Sequence, residues 1–279
     1  MSGAGQKART SLWPPSFSAA IFDFDGTLAE TWHLWRQVDE VFFASRGLKF
    51  DEAASETIAT LGFAAGAQWC VERYRLRDEV ADIVDEWNRL GAALYETSVQ
   101  LRPGAERYLR SLRAQGVRLA LATTNDPHVL GSMRHVDVGE LFDEVVCGRE
   151  VARGKDHPDI YLEAARRLGA RPEGCVVFED ILPGVLSAQR AGMRAVAVRC
   201  EDPRQPEREL RSAADLWIDG WEGLTEGTGA DRGDGGTCQV LDLTGPPVPS
   251  VSPRPLCQPR QARRRRARKC PSAWGQPVR

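Results

Sequence analysis

Between residues 16 and 224, short apolar runs alternate with longer stretches in which apolar residues recur every three to four positions. The short runs predict strands at Ala19 to Phe24, Val117 to Thr123, Asp143 to Cys147, Cys175 to Phe178, Arg194 to Val198 and Asp215 to Ile218. Amphipathic stretches fit between them as helices, among them Gly104 to Ala114, His157 to Leu168 and Pro183 to Ala191. Strand and helix in alternation predict an α/β fold around a mostly parallel sheet.

One connection breaks the rhythm. About ninety residues separate the first two strands, far more than a crossover needs, so a unit of its own folds there. From roughly Glu30 to Gln100 the pattern is helical. Trp32, Trp35, Val38, Phe42 and Phe43 share one side, and Val80, Ile83, Val84, Trp87, Leu90 and Leu94 recur at helical spacing. The segment reads as a small helical bundle, with the aromatic stripe as core packing rather than a ligand pocket. Leu101-Arg102-Pro103-Gly104 punctuates the return to the sheet. The boundaries expected are an N-terminal extension at 1–17, a core at 18–29 and 101–224, the helical insert at 30–100 and a tail at 225–279.

Composition adds limits. The 279 residues are 42% hydrophobic and 27% charged, as in soluble globular proteins, and no apolar run is long enough to span a membrane. Met1 to Pro15 lacks the apolar stretch of a secretory signal. Seven cysteines, an odd number without close pairs, suit reduced thiols and a cytoplasmic location better than disulfides or zinc. The four histidines share no metal-ligand spacing with cysteines or acids.

The net charge of -2 hides a division. Residues 1–224 carry 27 basic against 35 acidic side chains, and residues 225–279 carry 10 against 4. The last segment is rich in glycine and proline and ends in the basic run Arg263 to Lys269. It lacks either periodicity and reads as a disordered tail. Its arginines could touch nucleic acid or another acidic surface weakly, nonspecifically and with strong salt dependence, and a solvated appendage is the simpler reading.

The chemistry concentrates at strand ends. Ala19 to Phe24 runs into Asp23 and Asp25, whose i, i+2 spacing on an extended backbone puts both carboxylates on one side. Such a pair can hold a divalent cation and divide nucleophilic attack from proton transfer. Gly26 permits a sharp turn and Thr27 can bond within it. Thr123-Thr124-Asn125-Asp126 and Glu179-Asp180 end two further strands, and Lys155 precedes a helix. In open parallel sheets ligands bind outside the carboxyl ends of the strands, so these groups can converge.

Four segments carry a resemblance: Asp23-Phe24-Asp25-Gly26-Thr27, Ala122-Thr123-Thr124-Asn125, Gly154-Lys155-Asp156-His157-Pro158-Asp159-Ile160-Tyr161 and Phe178-Glu179-Asp180-Ile181-Leu182-Pro183-Gly184. In this order the text resembles the haloacid dehalogenase superfamily, in its capped phosphatase branch of phosphoglycolate phosphatase and beta-phosphoglucomutase type. The resemblance covers residues 18 to about 224. It implies a Rossmann-like sheet with helices on both faces and an inserted all-helical cap.

The resemblance also assigns roles. Asp23 would take the phosphoryl group as an aspartyl phosphate, and Asp25 would protonate the leaving oxygen and then activate water. Thr124, the backbone of Asn125 and Lys155 would bind phosphoryl oxygens, with Thr123 as the register alternative. Mg²⁺ would be held by Asp23, the main-chain carbonyl of Asp25 and Asp180, with Glu179 close by. Positive charge from Mg²⁺ and Lys155 lets an anionic nucleophile approach an anionic ester.

Asp25 stands where dehalogenases, phosphonate hydrolases and P-type ATPases of the superfamily carry another residue, and it points to phosphate esters. Two residues depart from the common pattern: Ile181, where a small hydroxyl residue is frequent, and Glu30, where Asp is usual. The expected activity is a magnesium-dependent phosphatase acting on a small phosphorylated metabolite, a sugar phosphate or phosphoglycolate-like compound. The alternative is a phosphomutase of the beta-phosphoglucomutase type. Those relatives carry an arginine in a cap segment that here reads Gly62-Phe63-Ala64-Ala65-Gly66-Ala67 and is uncharged.

Overall fold

The computed structural model describes residues 11–225 and 241–242. The expected disorder of the tail and the basic run Arg263 to Lys269 lie outside the described residues, as do the first ten positions of the N-terminal extension.

The chain opens with β1 (Ala19–Phe22) and then forms four helices: α1 (Trp32–Ser45), α2 (Glu52–Leu61), α3 (Phe63–Tyr74) and α4 (Val80–Ser98). It returns through α5 (Ala105–Ala114), β2 (Arg118–Thr123), α6 (Pro127–Ser132), α7 (Val138–Leu141) and β3 (Glu144–Cys147). The remaining elements are α8 (Asp159–Arg167), β4 (Cys175–Glu179), α9 (Leu182–Arg190), β5 (Arg194–Val198), α10 (Glu207–Ala213), β6 (Leu216–Ile218) and β7 (Leu241–Asp242). The sheet order is β3-β2-β1-β4-β5-β6-β7, parallel throughout except for β7, which pairs antiparallel with β6.

Both faces of the sheet are covered, which explains why its strands read as unbroken apolar runs. On one face Phe22, Leu121, Phe178, Val196 and Ile218 pack with Tyr108, Leu109 and Leu112 of α5 and with Trp221. On the other, Ile21, Ala120, Ala122, Val177, Ala195 and Ala197 meet Ile160, Tyr161 and Ala164 of α8 and Val185 and Ala188 of α9. The alanines keep that face of the strands small, so α8 and α9 lie close against it. The expected α/β Rossmann-like fold with helices on both faces is what the structure shows.

The four helices between β1 and α5 enclose a separate apolar cluster of Val38, Phe42, Phe43, Ile58, Cys70, Ile83 and Trp87. Arg46 ties this bundle from within, pairing with Asp78 at 2.6 Å and Glu86 at 2.8 Å while its guanidinium lies 4.0 Å from the Phe42 ring centroid.

Two strand ends differ from the sequence expectation for reasons that matter at the site. β1 stops at Phe22 because the chain folds back on itself: the Phe24 carbonyl accepts from Leu28 N at 2.8 Å and Ala29 N at 3.0 Å. β4 runs one residue further than expected, since Glu179 still pairs with Ala197 of β5. The pairing of β7 with β6 was not anticipated from the glycine-rich text around it.

Order reverses at β1, whose neighbours are β2 and β4, and such a switch point opens a crevice at the carboxyl ends of the strands. Trp221 anchors the underside of that crevice. It is buried against Phe22, Tyr108 and Phe178, and its indole N–H donates to the Thr27 carbonyl at 3.0 Å. Trp221→Ala should therefore lower stability by about 3–5 kcal/mol in urea unfolding, and a loss below about 1 kcal/mol would contradict this packing.

Candidate active site

Register delivers the first carboxylates. Phe22 pairs with Phe178, so Asp23, just past the end of β1, lies beside Glu179, the last residue of β4, and Asp23 N donates to the Phe178 carbonyl at 3.0 Å. Gly26, at φ +76°, then turns the chain, and a Cβ there would lie 2.0 Å from Asp180 Oδ2. Only glycine allows the turn to pass so close to that carboxylate. Thr27 Oγ1 donates to Asp180 Oδ1 at 3.2 Å.

Lys155 enters from the loop before α8. Its buried ammonium donates to Asp23 Oδ1 and, at 2.5 Å, to Glu179 Oε1. Glu179 is fully buried and also accepts from Tyr161 Oη at 2.7 Å and Ile181 N at 3.4 Å. At Gly184 a Cβ would meet Glu179 Cδ at 2.6 Å and Tyr161 Oη at 2.8 Å, so the start of α9 must be bare there. Burial pushes the Asp23 carboxyl up to about 7, against the pull of Lys155 and with the push of Glu179 and Asp25. Asp180 is raised well above the carboxylate range by burial and by Asp23 and Glu179.

Asp25 belongs to a different set of partners. It accepts from Thr31 Oγ1 at 2.5 Å and from Tyr95 Oη on one oxygen, and from Asn125 Nδ2 at 2.7 Å on the other. Trp35 Nε1 donates to Tyr95 Oη at 2.8 Å, so helices α1 and α4 jointly hold this carboxylate. Burial raises Asp25, opposed by the hydroxyls of Thr31 and Tyr95.

The two threonines at the end of β2 separate clearly. Thr123 is fully buried and its hydroxyl accepts from Asn125 N at 3.1 Å, fixing the turn. Thr124 lines a cavity of about 300 Å³ together with Asp23, Asp25, Asn125, Lys155 and Asp180. Glu179 does not line it and stands behind Lys155.

Asp23, Glu179 and Asp180 each offer an oxygen within 4.8 Å of the others, so this buried group can hold a metal ion. The donor set fits a hard divalent cation: all oxygen, three carboxylates, with the Lys155 ammonium paired with two of them, Asp23 and Glu179. The Asp25 side chain is outside that group, engaged with Thr31, Tyr95 and Asn125.

Sequence reasoning missed Thr31, Tyr95, Trp35 and Tyr161 as site residues. Trp35 and Tyr95 sit at helical spacing among core residues, and Trp32 and Trp35 line the cavity although the stripe they begin was read as packing. Tyr161 ends the segment Gly154 to Tyr161, whose resemblance assigns it no role. The two departures from the common pattern also find places. Glu30 pairs with Arg102 at 3.1 Å and accepts from Glu201 N at 3.2 Å, across the junction between bundle and sheet, and Ile181 lines the cavity.

A family match and the phosphatases among this chain's relatives make it a hydrolase of phosphoric monoesters. A family model for haloacid dehalogenase-like hydrolase matches residues 17–192, and the chain belongs to that family. A probable pseudouridine-5'-phosphatase from Drosophila melanogaster is 34% identical over 203 residues, covering 70% of this chain and 87% of the relative. Protein CbbY from Rhodobacter capsulatus is 33% identical, over 67% and 87%. Among solved structures, a CbbY variant from Rhodobacter sphaeroides in complex with xylulose-(1,5)bisphosphate superposes with a TM-score of 0.66 at 30% identity, covering 74% of this chain and 95% of that one.

The charge balance predicts a pH effect on metal binding. With Asp23 raised to about 7, the folded metal-free protein keeps a proton that the unfolded chain releases, so this group's stabilisation holds at low pH and fades as pH rises through about 7. A cation must displace that proton, so its own stabilisation follows the opposite trend. Magnesium should raise the melting temperature more at about pH 8 than at about pH 6 in thermal unfolding. Equal shifts, or a larger one at the lower pH, would contradict the assignment.

Proposed function

We propose that the chain is a magnesium-dependent phosphatase that removes phosphate from a small phosphorylated metabolite through an aspartyl phosphate on Asp23. The observation that carries the reading is the pairing of Asp23 with Lys155 in a cavity shared with Asp25, a second carboxylate held by a separate set of donors.

An Asp23 oxygen attacks phosphorus and the bond from phosphorus to the ester oxygen breaks. Asp25, whose burial raises its hold on a proton, gives that proton to the leaving oxygen. Asp25 then takes a proton from the water that attacks the aspartyl phosphate, and the bond from phosphorus to Asp23 breaks to release inorganic phosphate. Lys155, Thr124 and the Asn125 backbone hold the phosphoryl oxygens, while Thr123 shapes the turn that presents them. Mg²⁺, when bound by Asp23, Asp180 and the main-chain carbonyl of Asp25 with Glu179 nearby, supplies positive charge that offsets repulsion between nucleophile and phosphate.

Thr31, Trp35 and Tyr95 add a dependence on the bundle. Thr31 reaches Asp25 from the N-terminal end of α1 and Tyr95 from α4, held by Trp35 of α1, so the proton-transfer geometry forms only when that unit lies over the crevice. The unpaired cysteines Cys70, Cys147, Cys175 and Cys200 fit a reducing compartment, which supports a cytoplasmic location. Among the described residues no helix is long and apolar enough to cross a membrane.

Hydrolysis is favoured over phosphoryl relocation because the segment 62–67 brings Gly62 and Phe63 to the cavity and no cation. Asp23→Asn should abolish phosphate release while leaving the unfolding midpoint close to wild type. Asp25→Asn should slow turnover by about 10²–10⁴-fold, the usual contribution of a positioned acid and base. Near-normal release by Asp23→Asn, in a preparation checked for contaminating phosphatase, would discard the nucleophile assignment.

Product analysis separates the two reactions. With beta-glucose 1-phosphate, magnesium and a trace of the bisphosphate, phosphate should appear in step with loss of substrate. Glucose 6-phosphate accumulating with little free phosphate would favour the mutase.

A further inference from the structure

A second polar network lines the same cavity, and the proposed reaction leaves it unused. Asp39 of α1 and Ser55 of α2 come from the helical bundle, and Asp202 and Arg204 come from the loop between β5 and α10. Ser55 Oγ donates to Asp39 Oδ2, and Arg204 donates to Ser55 Oγ at 3.2 Å. Asp202 grips the same guanidinium at two points, with Arg204 Nε at 2.9 Å from Oδ1 and an Nη at 2.7 Å from Oδ2. Asp39, Ser55 and Asp202 are all buried. Buried, connected polar groups facing a cavity imply a ligand that completes their hydrogen bonds.

The charge on this wall says which ligand. Arg204 is bound to Asp202 and Ser55, and Asp39, Glu56 and Asp202 bring three carboxylates to the lining. Asp39 accepts from Ser55 through one oxygen, and its other oxygen has no donor among the described residues. Burial pushes Asp39 up to about 6, against the Ser55 hydroxyl and Arg204, so it remains an acceptor near neutral pH. Trp32, Trp35 and Phe63 line the remainder of this part of the bundle with apolar faces. A partner for such a wall donates hydrogen bonds, carries no negative charge and presents carbon–hydrogen surface to aromatic rings.

We propose that Asp39, Ser55 and Arg204, with Asp202 fixing the guanidinium, form the leaving-group subsite, which selects monophosphates of uncharged polyhydroxylated compounds, sugars or sugar alcohols. Esters bearing a second phosphate or a carboxylate are rejected. This rests on the phosphatase reading and narrows it: a phosphoglycolate-like substrate is excluded, and so is a bisphosphate. A hydroxyl of the leaving group donates to the open oxygen of Asp39. A second anion would lie beside the buried carboxylates of Asp39 and Asp202, and Arg204, the cation that this wall presents among the described residues, is already held by Asp202 and Ser55. Because the network joins the bundle to the sheet domain through Ser55 and Arg204, the same contacts that read the leaving group also bring the bundle over the catalytic carboxylates.

The test is steady-state kinetics of the full chain with magnesium on sorbitol 6-phosphate, xylulose 1,5-bisphosphate, 2-phosphoglycolate and p-nitrophenyl phosphate. The expected kcat/KM for sorbitol 6-phosphate exceeds those for the bisphosphate and phosphoglycolate by about 30-fold or more. Asp39→Asn should lower kcat/KM for sorbitol 6-phosphate, chiefly through KM, by at least about tenfold more than for p-nitrophenyl phosphate, which has no hydroxyl to place. Ser55→Ala, a smaller change to the fold, should shift the same ratio in the same direction. Preference for the bisphosphate or phosphoglycolate, or equal losses on both substrates in both variants, overturns the subsite while p-nitrophenyl phosphate is still hydrolysed. Absence of phosphate release from every compound overturns the phosphatase reading and the subsite with it.

Discussion

Four carboxylates converge on one ammonium at the carboxyl ends of β1 and β4, and the remainder of the site is arranged around that imbalance. Burial raises Asp23, Asp25 and Asp180, Glu179 is fully buried, and Lys155 is the cation bonded within the cluster, to Asp23 and Glu179. Taking several like charges out of water is unfavourable unless opposite charge accompanies them. The cluster is therefore a poor way to stabilise a fold and a good way to hold a cation and an anionic ester together. Two backbone features keep it assembled: the left-handed turn at Gly26 beside Asp180, and the bare face at Gly184 beside Glu179 and Tyr161.

The division of partners among the acids gives each a separate chemical character. Glu179 is enclosed by Lys155, Tyr161 and a backbone N–H, which fixes the lysine rather than exposing the carboxylate to the cavity. Asp23 shares that lysine and faces the cavity. Asp25 is held by hydroxyls and an amide, groups that tolerate either protonation state far better than a fixed charge does. Two carboxylates two residues apart thus have environments suited to attack and to proton transfer. The bundle completes the second of these environments through Tyr95 and Trp35, and the loop after β5 meets the bundle through Arg204.

Much of this was legible in the sequence because it depends on local spacing. Asp23 and Asp25 share a side by strand periodicity alone, and the apolar runs located the six parallel strands to within two residues at each end. Lys155, Glu179 and Asp180 were legible through motif order, since no local rule brings positions so distant together. Tyr95 and Trp35 were not, because a helical residue facing a cavity and one facing a core have the same spacing. Thr123 and Thr124 could not be separated until the β2 register and the bond from Asn125 N were known. Asp202 and Arg204 lie in an aperiodic loop whose meaning comes only from Ser55, 149 positions away in the chain.

The central claim is that the ester's phosphoryl group passes through Asp23. Acid quenching of the enzyme during turnover, followed by mass spectrometry of its peptides, tests this most directly. The account predicts one phosphoryl group on the peptide carrying Asp23, appearing with substrate and decaying as substrate is consumed. A phosphoryl group on any other side chain under these conditions would contradict it.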